Sequence, residues 1–339
     1  MSSLSPKERL LNTFARKAVD RKPVICPGGM MNAAIVEVMD NSGKAFPEAH
    51  SDAGLMTELA LAVNIQTGFE NIGIPFCMTV EAEALGSAVD FGTRACEPKI
   101  AVERYAAAAE AVLPDTKSAL ESSRSSVIAT TVEAASRQLT DVPVIGSLTG
   151  PISTAGSLVD PMRFLKDLRK DAAASHALID KVADFLIEYA YQLIEAGADV
   201  ISIADPTATG EILGPKMFED FAVRYINRVA DGIHRANIPV IVHICGDLKP
   251  VKSHIAHLHA DAVSADAMVD LVALKAEFPE LVTMGNLSTY LLEFGTPEKV
   301  AAAAEILKRG SIDIIAPACG LSTSSPLANI KAFTDAIRA

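Results

Sequence analysis

Six short apolar runs in the last two-thirds of the chain are each followed by a turn, and helical stretches lie between them. They are residues 142–148 (VPVIGSL), 198–205 (ADVISIAD), 238–245 (IPVIVHIC), 261–266 (DAVSAD), 281–286 (LVTMGN) and 312–319 (IDIIAPAC). Each has strand length, is rich in β-branched residues, and follows a polar or Gly/Pro-bearing turn. The intervening segments carry helical period; residues 181–198 (KVADFLIEYAYQLIEAGA) show it plainly, with Gly197 as the stop. Apolar strands alternating with helices specify a parallel sheet covered on both faces. Two further candidates, residues 23–27 (PVICP) and 73–80 (GIPFCMTV), bring the count to eight. Eight favours a (β/α)8 TIM barrel over an open doubly wound sheet, and no G-x-G-x-x-G follows a first strand. No linker or low-complexity tract divides the 339 residues. We therefore expect one α/β domain, residues 1–339, with an N-terminal helical elaboration over about residues 1–22. That helix should start at Ser5, with Pro6 at its first position and Glu8 completing a capping box.

Composition excludes some functions. A net charge of −12 with no basic stripe leaves nothing to meet nucleic-acid phosphates. No apolar run reaches the roughly 18 residues of a membrane-spanning helix. The first residues, MSSLSPKERLLNTF, lack the charged and apolar regions of a signal peptide. Five scattered cysteines, Cys26, Cys77, Cys96, Cys245 and Cys319, suit a reducing compartment, so a cytoplasmic location is expected. Of these, Cys77 and Cys96 are expected in the core.

Chemistry concentrates at strand ends. Residues two apart on a strand share a face, so His243 and Cys245 project together from the end of IPVIVHIC. Cys319 closes IIAPAC in the same relative place, before Gly320 and a Ser/Thr-rich turn. His-x-Cys alone reads as packing, because buried cysteine is common. The second strand end shifts the balance: one imidazole and two thiolates suit Zn²⁺ with an open fourth position. Asp266, ending DAVSAD, would either take that fourth position or act from beside the metal; capping the following helix is the competing reading. Asp205 and Asn286 end two more strands and are candidate substrate contacts, with capping and turn formation as alternatives. Two protein thiolates weaken zinc toward water and leave a bound substrate thiolate electron-rich. That points toward alkyl transfer to sulfur, with carbonyl chemistry as the alternative.

The chain resembles the uroporphyrinogen decarboxylase superfamily, specifically its methylcobalamin:coenzyme M methyltransferase branch. The resemblance runs nearly end to end, through SPKERLLNTFARKAVDRKPV, EAHSDAGLMTELALA, MTVEAEALGSAVDFGT, VHICGD, MGNLS and ACGLSTSSPLANIKAF. It implies a barrel with zinc on His243, Cys245 and Cys319, and an acidic residue near the metal at the Asp266 position. It further implies that a thiol such as coenzyme M, held as thiolate, takes the methyl group of a methylated corrinoid. That corrinoid would ride on a separate protein docked at the funnel mouth. Tetrahydrofolate or another thiol is the alternative acceptor. The decarboxylase branch fits less well. Its porphyrin-gripping arginines have no counterpart in VICPGGMMNAA after Pro23, where a polycarboxylate would want cations.

Overall fold

The computed structural model describes residues 3–339. All six apolar runs form strands. The strands are β1 (Ile72–Ile74), β2 (Ala88–Asp90), β3 (Lys99–Val102), β4 (Val144–Thr149), β5 (Val200–Ala204), β6 (Val240–Ile244), β7 (Ala262–Ala265), β8 (Thr283–Leu287) and β9 (Ile314–Pro317). Seven of them make one curled, all-parallel sheet in the order β1-β4-β5-β6-β7-β8-β9. Every residue of β4, β5, β6, β7 and β9 is buried, which is why these runs read as continuously apolar rather than alternating.

The crossover helices follow the same logic. Helix Ala172–Glu195 starts on Asp171, whose carboxylate accepts from Ala174 N–H, and buries Leu178, Val182, Phe185, Leu186, Tyr189 and Leu193 at three- and four-residue spacing. It stops before Gly197, whose φ of +106° places it in the left-handed region. A Cβ there would also meet Ser136 Oγ at 2.5 Å. Parallel strands put all the strand-to-helix loops at one face, where functional side chains collect.

The first third departs from expectation in instructive ways. PVICP is bracketed by Pro23 and Pro27, which have no N–H to give a ladder. It makes one parallel bridge, Val24 to Ile315 of β9, with N–H···O distances of 3.0 and 2.9 Å on either side. On its other flank Glu70 N–H donates to the Val24 carbonyl at 2.9 Å. Asn71 exchanges two side-chain hydrogen bonds with the Cys26 backbone, each 2.8 Å. The segment thus touches both edges of the seven-stranded sheet. GIPFCMTV is a strand only at its start: Pro75 ends β1, and Val80–Ala84 is helical. The antiparallel β2–β3 hairpin gives no apolar signal, because most of its side chains face water. Cys96, expected in the core, is exposed in the turn of that hairpin.

The N-terminal helix Pro6–Phe14 forms with the capping box of Ser5 and Glu8 intact. Its Arg9 is buried and reaches Glu70, also buried, at 2.8 Å. Glu70 further accepts from Arg21 at 2.8 Å and from Val24 N–H at 3.1 Å. One carboxylate therefore ties the helix and the PVICP segment to the residues entering β1.

Candidate metal centre

His243 lies on β6, Cys245 just past its end, and Cys319 two residues beyond β9. Neighbouring strands are about 4.8 Å apart, so β6 and β9, three spacings away, would stand about 14 Å apart in a flat sheet. Yet the two thiol sulfurs are 3.7 Å apart. Only a curled sheet, with both strand ends turned inward, brings them together. His243 Nε2 is 3.2 Å from Cys245 Sγ, and the three donor atoms all lie within 4.8 Å of one another.

The imidazole is fully buried and its other nitrogen, Nδ1, is 2.9 Å from Ser264 Oγ. Ser264 is the register partner of His243 on β7, so the sheet itself sets that contact. The bond fixes the ring plane and leaves Nε2 toward the sulfurs, the role an outer hydrogen bond plays for a ligating histidine. The two thiols are hydrogen-bonded to each other. Hydrogen bonding from Cys245, and then from His243, draws the Cys319 thiol down. The same hydrogen bond between the thiols, followed by burial, pushes Cys245 up. The site therefore favours one thiolate, and a second needs a cation to balance it. Two thiolates and an imidazole suit a soft divalent ion: zinc with two bonds of about 2.3 Å places its sulfurs about 3.8 Å apart. The N–S contact would open by a few tenths of an ångström.

The other expected residues stand around this centre. Asp266 follows β7, half-buried; its Oδ1 accepts from Met268 N–H at 3.3 Å, and its oxygens lie outside the three-donor group. Its charge helps to push the Cys245 thiol up. The helix that follows is capped by Asp270 instead, so capping falls to the later aspartate. Asn286 holds the Asp266 turn, with Nδ2 donating to the carbonyls of Asp266 and Val269, each at 2.8 Å. Asp205 is completely buried. Its carboxylate accepts from Ile152 N–H (2.9 Å), Ser153 N–H (2.8 Å) and Ser153 Oγ (2.6 Å). It thereby caps helix Pro151–Gly156, which follows the neighbouring strand β4, rather than the segment after its own strand.

Sequence reasoning passed over Glu81 and His50, because neither closes an apolar strand run. Glu81 Oε1 accepts from Thr149 N–H at 2.7 Å at the end of β4, whereas Oε2 is buried without a partner. Burial pushes this carboxyl up to about 7, against 4.5 for a free glutamate. His50 is buried with neither ring nitrogen bonded, stacked on Phe46 at 4.1 Å, and burial pushes it down to about 3. The folded state holds the Glu81 proton more tightly than the unfolded chain, so this group favours folding below about pH 4.5. That contribution is lost as pH rises through about 7. Glu81→Gln should consequently flatten the decline in stability between pH 5 and pH 8 and stabilise at pH 8 by up to about 3 kcal/mol. Urea denaturation of both proteins at the two pH values checks this; an unchanged pH slope would contradict it.

The whole chain from residue 5 to 339 matches the family model described as uroporphyrinogen decarboxylase (URO-D). It is 32% identical to the methylcobamide:CoM methyltransferase MtaA of Methanosarcina barkeri, over 99% of this chain and 98% of that one. The methylcobamide:CoM methyltransferase MtbA of Methanosarcina mazei is also 32% identical, over the same shares. A solved methyltransferase from Methanosarcina mazei, 31% identical, superposes across 99% of both chains with a TM-score of 0.92. Sequence and backbone agree over essentially the full length, and the chain belongs to the uroporphyrinogen decarboxylase family, in its methylcobamide:CoM methyltransferase branch.

Proposed function

We propose that this methyltransferase moves a methyl group from a methylated corrinoid, carried on a separate protein, to a thiol such as coenzyme M, at a zinc site formed by His243, Cys245 and Cys319. The observation that carries the reading is the meeting of these three donors within 4.8 Å from strands that a flat sheet would hold apart. When bound, zinc lowers the acceptor thiol's pKa and holds its sulfur as a thiolate. The chain's own residues do the rest. Cys245 and Cys319 as thiolates balance the dication, which leaves the acceptor sulfur electron-rich enough to attack a methyl carbon. Ser264 holds His243 in the tautomer that presents Nε2. Asp266 stands beside Cys245 as the acidic neighbour of the site, on a turn that Asn286 fastens. Asp205 keeps helix Pro151–Gly156 in place at the same face. In-line attack requires sulfur, methyl carbon and cobalt to be collinear, so the face carrying these loops is the one the corrinoid protein would meet.

The finer fold reading is a (β/α)8 barrel spanning one domain, residues 1–339, with residues 23–26 as the first stave. Their hydrogen bonds to both edges of the sheet support it. Among the described residues no helix is long and apolar enough to cross a membrane, and we place the enzyme in the cytoplasm.

Metal content by mass spectrometry on anaerobically prepared protein, wild type beside His243→Ala, tests the site. Near-stoichiometric zinc is expected in the wild type, falling sharply in the variant, with methyl transfer from free methylcobalamin to coenzyme M falling alongside. Zinc-free wild type after reconstitution under reducing conditions overturns the metal assignment. Zinc without transfer to any thiol overturns the acceptor assignment.

A further inference from the structure

Cys245 Sγ has a third close neighbour that no His, Cys or carboxylate pattern reveals. Met30 Sδ lies 3.8 Å away, beside His243 Nε2 at 3.2 Å and Cys319 Sγ at 3.7 Å. A thiol has one proton to donate, so hydrogen bonding satisfies only one of three lone-pair donors gathered around it. The distances have another reading: in a tetrahedral site with bonds of about 2.3 Å, any two sulfurs sit about 3.8 Å apart. Both sulfur–sulfur distances to Cys245 match that edge.

The backbone delivers Met30 there by construction. Gly28 and Met31 exchange backbone hydrogen bonds of 3.0 and 2.9 Å, closing a tight turn with Met30 at its tip. The turn needs the left-handed φ values of Gly28 (+95°) and Gly29 (+58°). A Cβ on Gly28 would strike Gly73 at 2.5 Å. Gly320, the residue after Cys319, passes so close that a Cβ would meet Met30 O at 2.7 Å. The next thioether, Met31 Sδ, sits 3.9 Å from Ser264 Oγ, the partner of His243. One turn therefore lays two thioethers against the three-donor group and its support. By contrast, the Asp266 carboxylate lies outside that group and accepts a hydrogen bond from its own turn.

We propose that the Met30 thioether is a fourth, exchangeable soft donor that occupies the acceptor's position until the acceptor arrives. This rests on the zinc reading above. A thioether is neutral and a weak donor, so it holds the position without closing it. The incoming thiol gives its proton to solvent, its sulfur takes the place, and Met30 leaves uncharged. No electrons are gained or lost. Such a donor would also keep water from the metal between turnovers.

Zinc-edge X-ray absorption on zinc-loaded wild type and Met30→Leu, each with and without coenzyme M, tests the assignment. Leucine keeps roughly the volume and apolar character while removing the sulfur. The expected result without thiol is three sulfurs and one nitrogen in the wild type, against two sulfurs and lighter atoms in the variant. With coenzyme M both show three sulfurs, and the variant, lacking the competitor, binds it several-fold more tightly. Two sulfurs in thiol-free wild type overturns the Met30 assignment while leaving the three-ligand site intact. A change on Asp266→Asn in that same state would hand the fourth position to Asp266. Wild type that takes up no zinc overturns this proposal and the parent reading together.

Discussion

Cys319→Ala should abolish methyl transfer to coenzyme M, lowering the rate by at least about a thousandfold, the several kcal/mol that a lost metal function represents. The expectation follows from where the donors come from. His243 and Cys245 share one strand end, and Cys319 is the partner brought from the far side of the curled sheet. Without it, the site keeps one thiolate and one imidazole, with only the weak, neutral Met30 thioether beside them, too little to hold the ion. Zinc measured by mass spectrometry should fall together with activity. Cys319 is only half-buried and alanine is smaller, so with zinc removed from both proteins the thermal midpoint of the variant should lie close to that of the wild type. That separates a lost ligand from a lost fold. Full activity in a variant that retains stoichiometric zinc would remove Cys319 from the site.

The second large effect is expected far from any chemistry. Glu70→Ala should cost about 3–5 kcal/mol of stability, the range for breaking a buried ion pair by deleting one partner. Its carboxylate faces Arg9 and Arg21 and also accepts from Val24 N–H. Arg9 keeps Asp20 and the Leu4 carbonyl as partners, but the Val24 amide is left buried with no acceptor. Glu70→Gln, which retains an oxygen for Val24, should be milder. Urea denaturation reads both; a loss below about 1 kcal/mol for Glu70→Ala would mean that backbone pairing alone holds this seam.

What could be read from the sequence divides along physical lines. β4 to β9 were legible because burial on both faces makes a strand uniformly apolar, and that signal is local. His243 and Cys245 were legible because strand periodicity puts i and i+2 on one face, and Cys319 because it stands at an equivalent strand end. The β2–β3 hairpin was invisible for the opposite reason, since its exposed residues carry no pattern. The role of Glu70 depends on charges 49 and 61 residues away, which no window along the chain contains. Asp205 was found as a strand-end acid, but its partner is the helix after the adjacent strand, a relation that exists only once β4 and β5 pair. Met30 carried no signal at all, because methionine in a glycine-rich turn looks like ordinary packing until its sulfur is seen beside Cys245.

Bringing Cys245 and Cys319 together across 74 residues of sequence has a consequence for the order of events in the cell. At about 5–20 residues per second, a ribosome needs roughly 4 to 15 seconds to pass from one cysteine to the other. Throughout that interval the site has only His243 and one of its two thiols, a pair too weak to retain a metal against the thiols and proteins that surround it. Commitment to a particular ion is thereby postponed until the last strand has been made and has docked, when spacing and coordination number can discriminate. The enzyme would choose its metal as a folded protein, by shape, and not as an emerging peptide, by whichever ion came first.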